Sequence, residues 1–136
     1  MTPRSTWSHE TELAAEHVSA SRAREFLALH LEEHHLSHLQ DDMRLVVSEL
    51  ATNAMLHART PFTVYLSGDD TSVLLTVVDG SASVLVHVTA DDLDDGGRGL
   101  SIVDALSHGW GVSDGYGGGK SVWASFLTGP DPGQPS

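Results

Sequence analysis

The sequence predicts an α+β fold, a two-layer α/β sandwich in which helices cover one face of a single sheet. Three observations predict it. Two stretches in the first half of the chain carry apolar residues at the helical period, and four β-branched or aromatic stretches read as two hairpins. Their order along the chain is two helices, a hairpin, a long loop, a third helix and a final hairpin, an order that suits helices segregated to one sheet face. The other sheet face is then left to solvent or a partner.

Residues 1–12 are polar apart from Trp7, which suits a short edge strand anchored by one aromatic. From 19 to about 33, Ala23, Phe26, Leu27, His30 and Leu31 recur at three- and four-residue spacing, predicting an amphipathic helix. A break is expected near Ser37. Asp41 and Asp42 then suit a helix start by capping and dipole effects, and Met43, Leu45, Val46, Leu50, Ala54 and Leu56 carry that helix to about Ala58. Pro61 punctuates, after which 62–66 and 73–78 flank Gly68-Asp69-Asp70, a three-residue hairpin signal. Residues 82–96 contain the acidic run Asp91-Asp92-Leu93-Asp94-Asp95 and read as a solvated loop that orders on demand. A short helix over 100–107 with Gly109 as its stop is followed by strands at 110–113 and 121–127, joined by a glycine-rich turn at 115–119. The expected organisation is one domain over 1–128 and a disordered tail over 129–136, without internal repeats.

A chain of 136 residues with 40% hydrophobic content has the size of one domain, able to bury roughly two-thirds of its unfolded surface. Its longest apolar run, 73–78, is far short of the ~20 residues of a membrane helix. Met1-Thr2-Pro3-Arg4 leads into no apolar signal core, so a cytoplasmic location is expected. No cysteine is present, which excludes disulfides, thiolate nucleophiles and Cys-based zinc sites. Nineteen acidic against seven basic side chains give a net charge of −12. Such a field disfavours nucleic acid and anionic membrane and favours a basic protein partner.

Several residue groups can carry chemistry. Glu49, Asn53 and His57 are spaced four apart and project from one helix face. A carboxylate and an amide one turn apart can accept a proton and hold a hard cation, although a solvated helix face offers the same pattern. Gly97-Arg98-Gly99-Leu100 precedes a helix, where close backbone approach and free N–H groups make an anion site, phosphate being the natural ligand. Asp79 ends an apolar strand ahead of Gly80-Ser81; it can accept a hydrogen bond from an exocyclic amine such as that of adenine, or form an ordinary turn. Gly117-Gly118-Gly119-Lys120-Ser121 is not a phosphate-binding P-loop, because position 114 is aspartate rather than glycine and a strand, not a helix, follows. His30, His34 and His38 lie four apart. The helix end expected near Ser37 breaks their register, which favours surface or boundary histidines over a metal site.

Taken in order, Glu49 with Asn53, Asp79-Gly80, Gly97-Arg98-Gly99-Leu100 and Gly119-Lys120-Ser121 resemble the N box and the three glycine boxes of the GHKL, or Bergerat-fold, ATPases over residues ~20 to 127. Within that family, Leu45-Val46-Val47-Ser48-Glu49-Leu50-Ala51-Thr52-Asn53-Ala54 and the ending Gly119-Lys120-Ser121-Val122-Trp123 resemble the anti-sigma factor serine kinase branch typified by RsbW and SpoIIAB, in its stand-alone actinobacterial form. The resemblance implies a mixed, mostly antiparallel sheet with helices on one face, ATP or ADP as ligand, and Mg²⁺. Asn53 is implied as the Mg²⁺ ligand and Glu49 as the general base. Asp79 with Gly80 is implied at the adenine amine, and Gly97, Arg98, Gly99 and Leu100 at the phosphates. Ser121 supports the adenine site, and 82–96 becomes the ATP lid. The box at Asp79 has Ser81 and Ser83 where the fuller pattern has glycines, and the lid carries no lysine or arginine before Arg98. From its length, neither a complete sensor kinase nor a gyrase-like machine is expected.

The resemblance implies a protein that sequesters a sigma factor and phosphorylates a serine of a STAS-type anti-anti-sigma factor. It also implies a possible homodimer. The alternatives are a non-catalytic module whose nucleotide sets partner choice, and an interaction scaffold with a vestigial pocket.

Overall fold

The computed structural model describes residues 6–58, 60–80, 99–114 and 120–129. The lid expected over 82–96, Gly97 and Arg98, the turn at 115–119 and the tail beyond Gly129 lie outside the described residues.

The strands are β1 (Trp7–Leu13), β2 (Phe62–Gly68), β3 (Ser72–Asp79), β4 (Gly109–Asp114) and β5 (Lys120–Leu127), and the helices are α1 (Val18–Glu33), α2 (Gln40–Asn53) and α3 (Gly99–Leu106). The strands form one sheet in the order β1-β2-β3-β5-β4. Its pairings are antiparallel throughout the described residues, so the parallel component of a mixed sheet is not found there. The expected edge strand at the N-terminus is β1, paired with β2 alone.

Period-two alternation sorts the strand residues onto two faces. Phe62, Val64 and Leu66 of β2, Val73, Leu75 and Val77 of β3, and Val122, Ala124 and Phe126 of β5 are buried. Against them pack Ala23, Leu27 and Leu31 of α1, Met43, Val46, Val47 and Leu50 of α2, and Val103 of α3. The opposite face, with Tyr65 and Leu74, is open. The helices form one layer, with α2 packed between α1 and α3.

Register fixes which ends of these elements coincide. Leu13, Phe62, Asp79, Lys120 and Asp114 lie at one end of the sheet, and Trp7, Gly68, Ser72, Leu127 and Gly109 toward the other. Helix α1 starts at the Asp79 end, where the Ser19 hydroxyl donates to the Ala14 carbonyl at 2.6 Å, and finishes at the Gly68 end, where His34 stacks on Trp7. Helix α2 runs back: His38, ahead of it, donates from Nε2 to the Thr128 carbonyl at 2.7 Å, and Thr60, beyond it, accepts from the Gly80 N–H at 3.2 Å. Helix α3 is followed by His108, whose N–H donates to the Ser125 carbonyl at 2.7 Å, so its N-terminus faces the Asp79 end.

Local details differ from expectation. Helix α2 begins after a 3₁₀ turn over Ser37–Leu39 with Leu39 as its N-cap and no side-chain cap bond, so Asp41 and Asp42 act in the first turn through the dipole alone. Its α-helical part stops at Asn53, and the chain continues to Ala58 as a π-helical turn. The hairpin loop is Asp69-Asp70-Thr71, one residue later than expected, because Gly68 pairs within β2 while the Asp69 carboxylate accepts from the Thr71 and Ser72 N–H groups at 2.8 and 3.0 Å. Gly109 opens β4 rather than stopping α3, which ends at Leu106.

Candidate nucleotide site at one end of the sandwich

Asp79 is 3% exposed although it ends a strand. It lies on the helix-facing side of β3, where the alternation that buries Val73, Leu75 and Val77 continues to it. One carboxylate oxygen accepts from the backbone N–H of Lys120 across the β3–β5 pair at 3.3 Å. A carboxylate so placed presents acceptor capacity between the sheet and the helices, where a donor of a planar base can reach it. Lys120 is itself buried and shares this face. Gly80 follows with its N–H on the Thr60 hydroxyl. Among the described residues, a Cβ at Gly80 would meet nothing closer than that hydroxyl at 3.7 Å.

Glu49 and Asn53 are half-buried on the last turns of α2. They border the stripe of Val46 and Leu50 that packs into the core, which brings them to the margin of the layer at the Asp79 end. Asn53 is the last α-helical residue before the π turn, a register change that widens the helix and is frequent at functional sites. His57 lies within that turn. The turn also touches β3. The third contribution is the N-terminus of α3 at Gly99-Leu100, where the first N–H groups have no partner within the helix and the dipole favours an anion. Three separate chain segments thus deliver a carboxylate with an amide, a buried acceptor and a helix start to one end of the sandwich. This donor set fits a magnesium nucleotide: oxygen ligands for a hard cation, an acceptor for a base amine, and backbone N–H groups for phosphate.

Ser121 does not join this group by its side chain. It is opposite Val78 and alternates to the open face of β5, and Lys120 next to it is the residue that meets Asp79. The partner that sequence reasoning missed is Thr60; a hydroxyl just before Pro61 in a polar link carries no motif signal.

A family model described as "Histidine kinase-like ATPase domain" matches residues 12–126. The chain belongs to this family. No curated protein matches it. As a histidine kinase-like ATPase domain the chain is a nucleotide-binding module of ATPase or kinase-like type, and the match spans every residue of the candidate site. Among the described residues of the domain, no helix is long and apolar enough to cross a membrane.

At the far end of the ATPase domain lies a second polar cluster, which the sequence did not reveal. His9 of β1 meets His30 and Glu33 of α1 and the C-cap residue His34. His38 stands apart on the Thr128 carbonyl. Burial, aided by the neighbouring His30 and His34 imidazoles and opposed by Glu33, pushes the His9 imidazole below its ordinary range.

Proposed function

We propose that the chain is an ATP-binding anti-sigma factor-type regulator that sequesters a sigma factor and phosphorylates a serine of a STAS-type anti-anti-sigma factor. The observation that carries this reading is the convergence of Glu49 and Asn53, Asp79 and the start of α3 at one end of the sandwich. Bound Mg²⁺ would neutralise phosphate charge during transfer, and the Asn53 amide oxygen is its ligand from this chain. Asp79 accepts from the adenine amine and orients the base, with Gly80 leaving space for the ring. Gly97, Arg98, Gly99 and Leu100 are assigned to the phosphates, Gly99 and Leu100 as the start of α3 with its N–H donors. Glu49 takes the proton of the attacking serine hydroxyl as its oxygen bonds to the γ-phosphorus and the bond to the ADP oxygen breaks. A net charge of −12 suits a basic segment of the sigma factor as the sequestered partner.

A second reading, a non-catalytic module in which nucleotide sets partner choice, is favoured by Ser81 and Ser83 at positions where the fuller glycine box has glycines. Calorimetry of ATP with and without Mg²⁺, on wild type and Asn53→Ala, tests the site. Binding that requires both magnesium and Asn53 supports it, and equal binding by the variant overturns the assignment of Asn53. Phosphotransfer to a STAS protein that is lost in Glu49→Gln while ATP binding persists supports the kinase. Nucleotide-dependent partner binding unchanged by Glu49→Gln, without phosphotransfer by wild type, favours the second reading.

A further inference from the structure

We infer that His9, His30 and Glu33 form a binding site for a divalent transition-metal ion of the zinc class, at the end of the sandwich opposite the nucleotide site. Two elements build it. Alternation along β1 puts Trp7 and His9 on its half-buried side, and the last turn of α1 carries His30, Glu33 and the C-cap residue His34 at spacings of three and four, so that they share a face. The match to the ATPase family begins at residue 12, beyond His9, so the strand ligand is supplied by a part of the chain outside the matched segment.

The distances suit a shared ion. Donors ~2.0–2.1 Å from a tetrahedral zinc ion lie roughly 3.3 Å from one another. His30 Nδ1 is 3.2 Å from Glu33 Oε2, and His9 Nε2 is 4.0 Å from the same oxygen. The ligand atoms of these three residues all fall within 4.8 Å of one another. His34 Nε2 lies 2.9 Å from His9 Nε2, a contact in which one ring's N–H donates to the other's bare nitrogen. Two imidazoles and a carboxylate favour zinc, cobalt, nickel or copper over magnesium and calcium, which prefer all-oxygen sites.

The cluster is also held in place around its donors. His34 stacks on Trp7 with ring centroids 3.9 Å apart, and His9 stacks on His30 at 3.8 Å with a 13° interplanar angle. Near-parallel rings aim their in-plane lone pairs along separate planes, so ligation requires the His9 and His30 rings to turn about χ2, a broad and soft torsion. An ion here would tie the edge strand β1 to α1 and link the start of the chain to the helical layer.

The test is zinc titration by calorimetry on untagged protein, with magnesium as a control ion, on wild type, His9→Gln, His30→Gln, Glu33→Gln, His17→Gln and Asn53→Ala. Circular dichroism on each variant reports folding. The expected result is one zinc equivalent per chain, and weakening of at least about tenfold by each change at His9, His30 and Glu33. His17→Gln and Asn53→Ala should bind zinc as wild type does, which separates this site from scattered surface imidazoles and from the nucleotide site. Wild-type affinity in both His9→Gln and His30→Gln overturns the inference, as does equal weakening by His17→Gln. Should His9→Gln fail to fold, cobalt absorption carries the test: tetrahedral d–d bands in wild type that vanish in His30→Gln support the site, and their absence from wild type overturns it.

Discussion

The two ends of the sandwich are built from different material. At the Asp79 end, the sequence places polar groups where elements stop: Asn53 at the end of α2, Asp79 at the end of β3, Gly99 at the start of α3. At the Gly68 end, aromatic and imidazole rings from β1 and α1 stack on one another, and a left-handed residue closes α1. The first end gathers these groups from three separate segments at element ends, whereas the second packs its polar rings against one another. Substitutions at the first end should therefore act mainly on ligand binding, and those at the second mainly on stability.

The largest expected effect that strains this division is at Asp79, which serves both ligand and fold. Asp79→Ala removes the acceptor that the buried Lys120 N–H uses, and an unsatisfied buried donor costs about 1–3 kcal/mol; urea unfolding should register that loss together with loss of ATP binding. Asp79→Asn separates the roles. Its single amide oxygen can keep the Lys120 bond but cannot also serve a base amine as two carboxylate oxygens can. Stability within about 1 kcal/mol of wild type, with ATP binding weakened by roughly tenfold or more, about the worth of one such bond to a charged acceptor, is the expected outcome. Unchanged ATP affinity in Asp79→Asn would remove Asp79 from the site.

A pair of glycines sharpens the comparison. A Cβ at Gly68 would come within 2.6 Å of the Trp7 ring and 3.1 Å of the Ser72 carbonyl, so Gly68→Ala must displace the indole that stacks on His34. Overpacking of this kind costs about 1–3 kcal/mol. At Gly80 the nearest atom among the described residues is 3.7 Å away, so Gly80→Ala should leave stability within about 0.5 kcal/mol and show its effect in ATP affinity alone. Chemical denaturation and calorimetry on both variants check this. Equal destabilisation by the two would end the distinction between the two ends.

The same pair indicates how far the sequence could be read. Glycine beside two aspartates signals a turn that includes Gly68; the structure uses Gly68 instead for the close approach of Trp7, and the Asp69 carboxylate builds the turn one residue later. Helices and strands were legible because burial imposes their periods directly, as in Ala23, Leu27 and Leu31 or Val73, Leu75 and Val77. The π turn after Asn53 was not legible, because an apolar period does not distinguish bonding to the fourth preceding residue from bonding to the fifth. Glu49, Asn53 and Asp79 could be singled out because each occupies an element end or a one-turn spacing. Ser121 went to the open face because strand phase is set by the core, where its neighbour Lys120 takes the inward position. The histidine cluster was hidden for a different reason: His9 and His34 are 25 residues apart in sequence, and only their pairing across β1 and α1 joins them.

The smallest effect expected is a gain. His35 has φ of 60°, in the left-handed region where a side chain costs an ordinary residue about 1 kcal/mol. It is held there by a Schellman closure of α1: the His35 N–H donates to the Glu32 carbonyl at 3.1 Å and the Leu36 N–H to the Leu31 carbonyl at 2.7 Å. Leu31 and Leu36 are both buried in the core, so the conformation is enforced by packing rather than by the residue at 35. His35→Gly should therefore stabilise the protein by about 0.5–1 kcal/mol, reduced by the extra freedom glycine gives the unfolded chain. A rise in the urea midpoint with an unchanged m-value is the expected reading. Because His35 is not among the three donors of the histidine cluster, zinc affinity should be unaltered, whereas a loss of zinc binding would mean that the left-handed turn itself positions the end of α1.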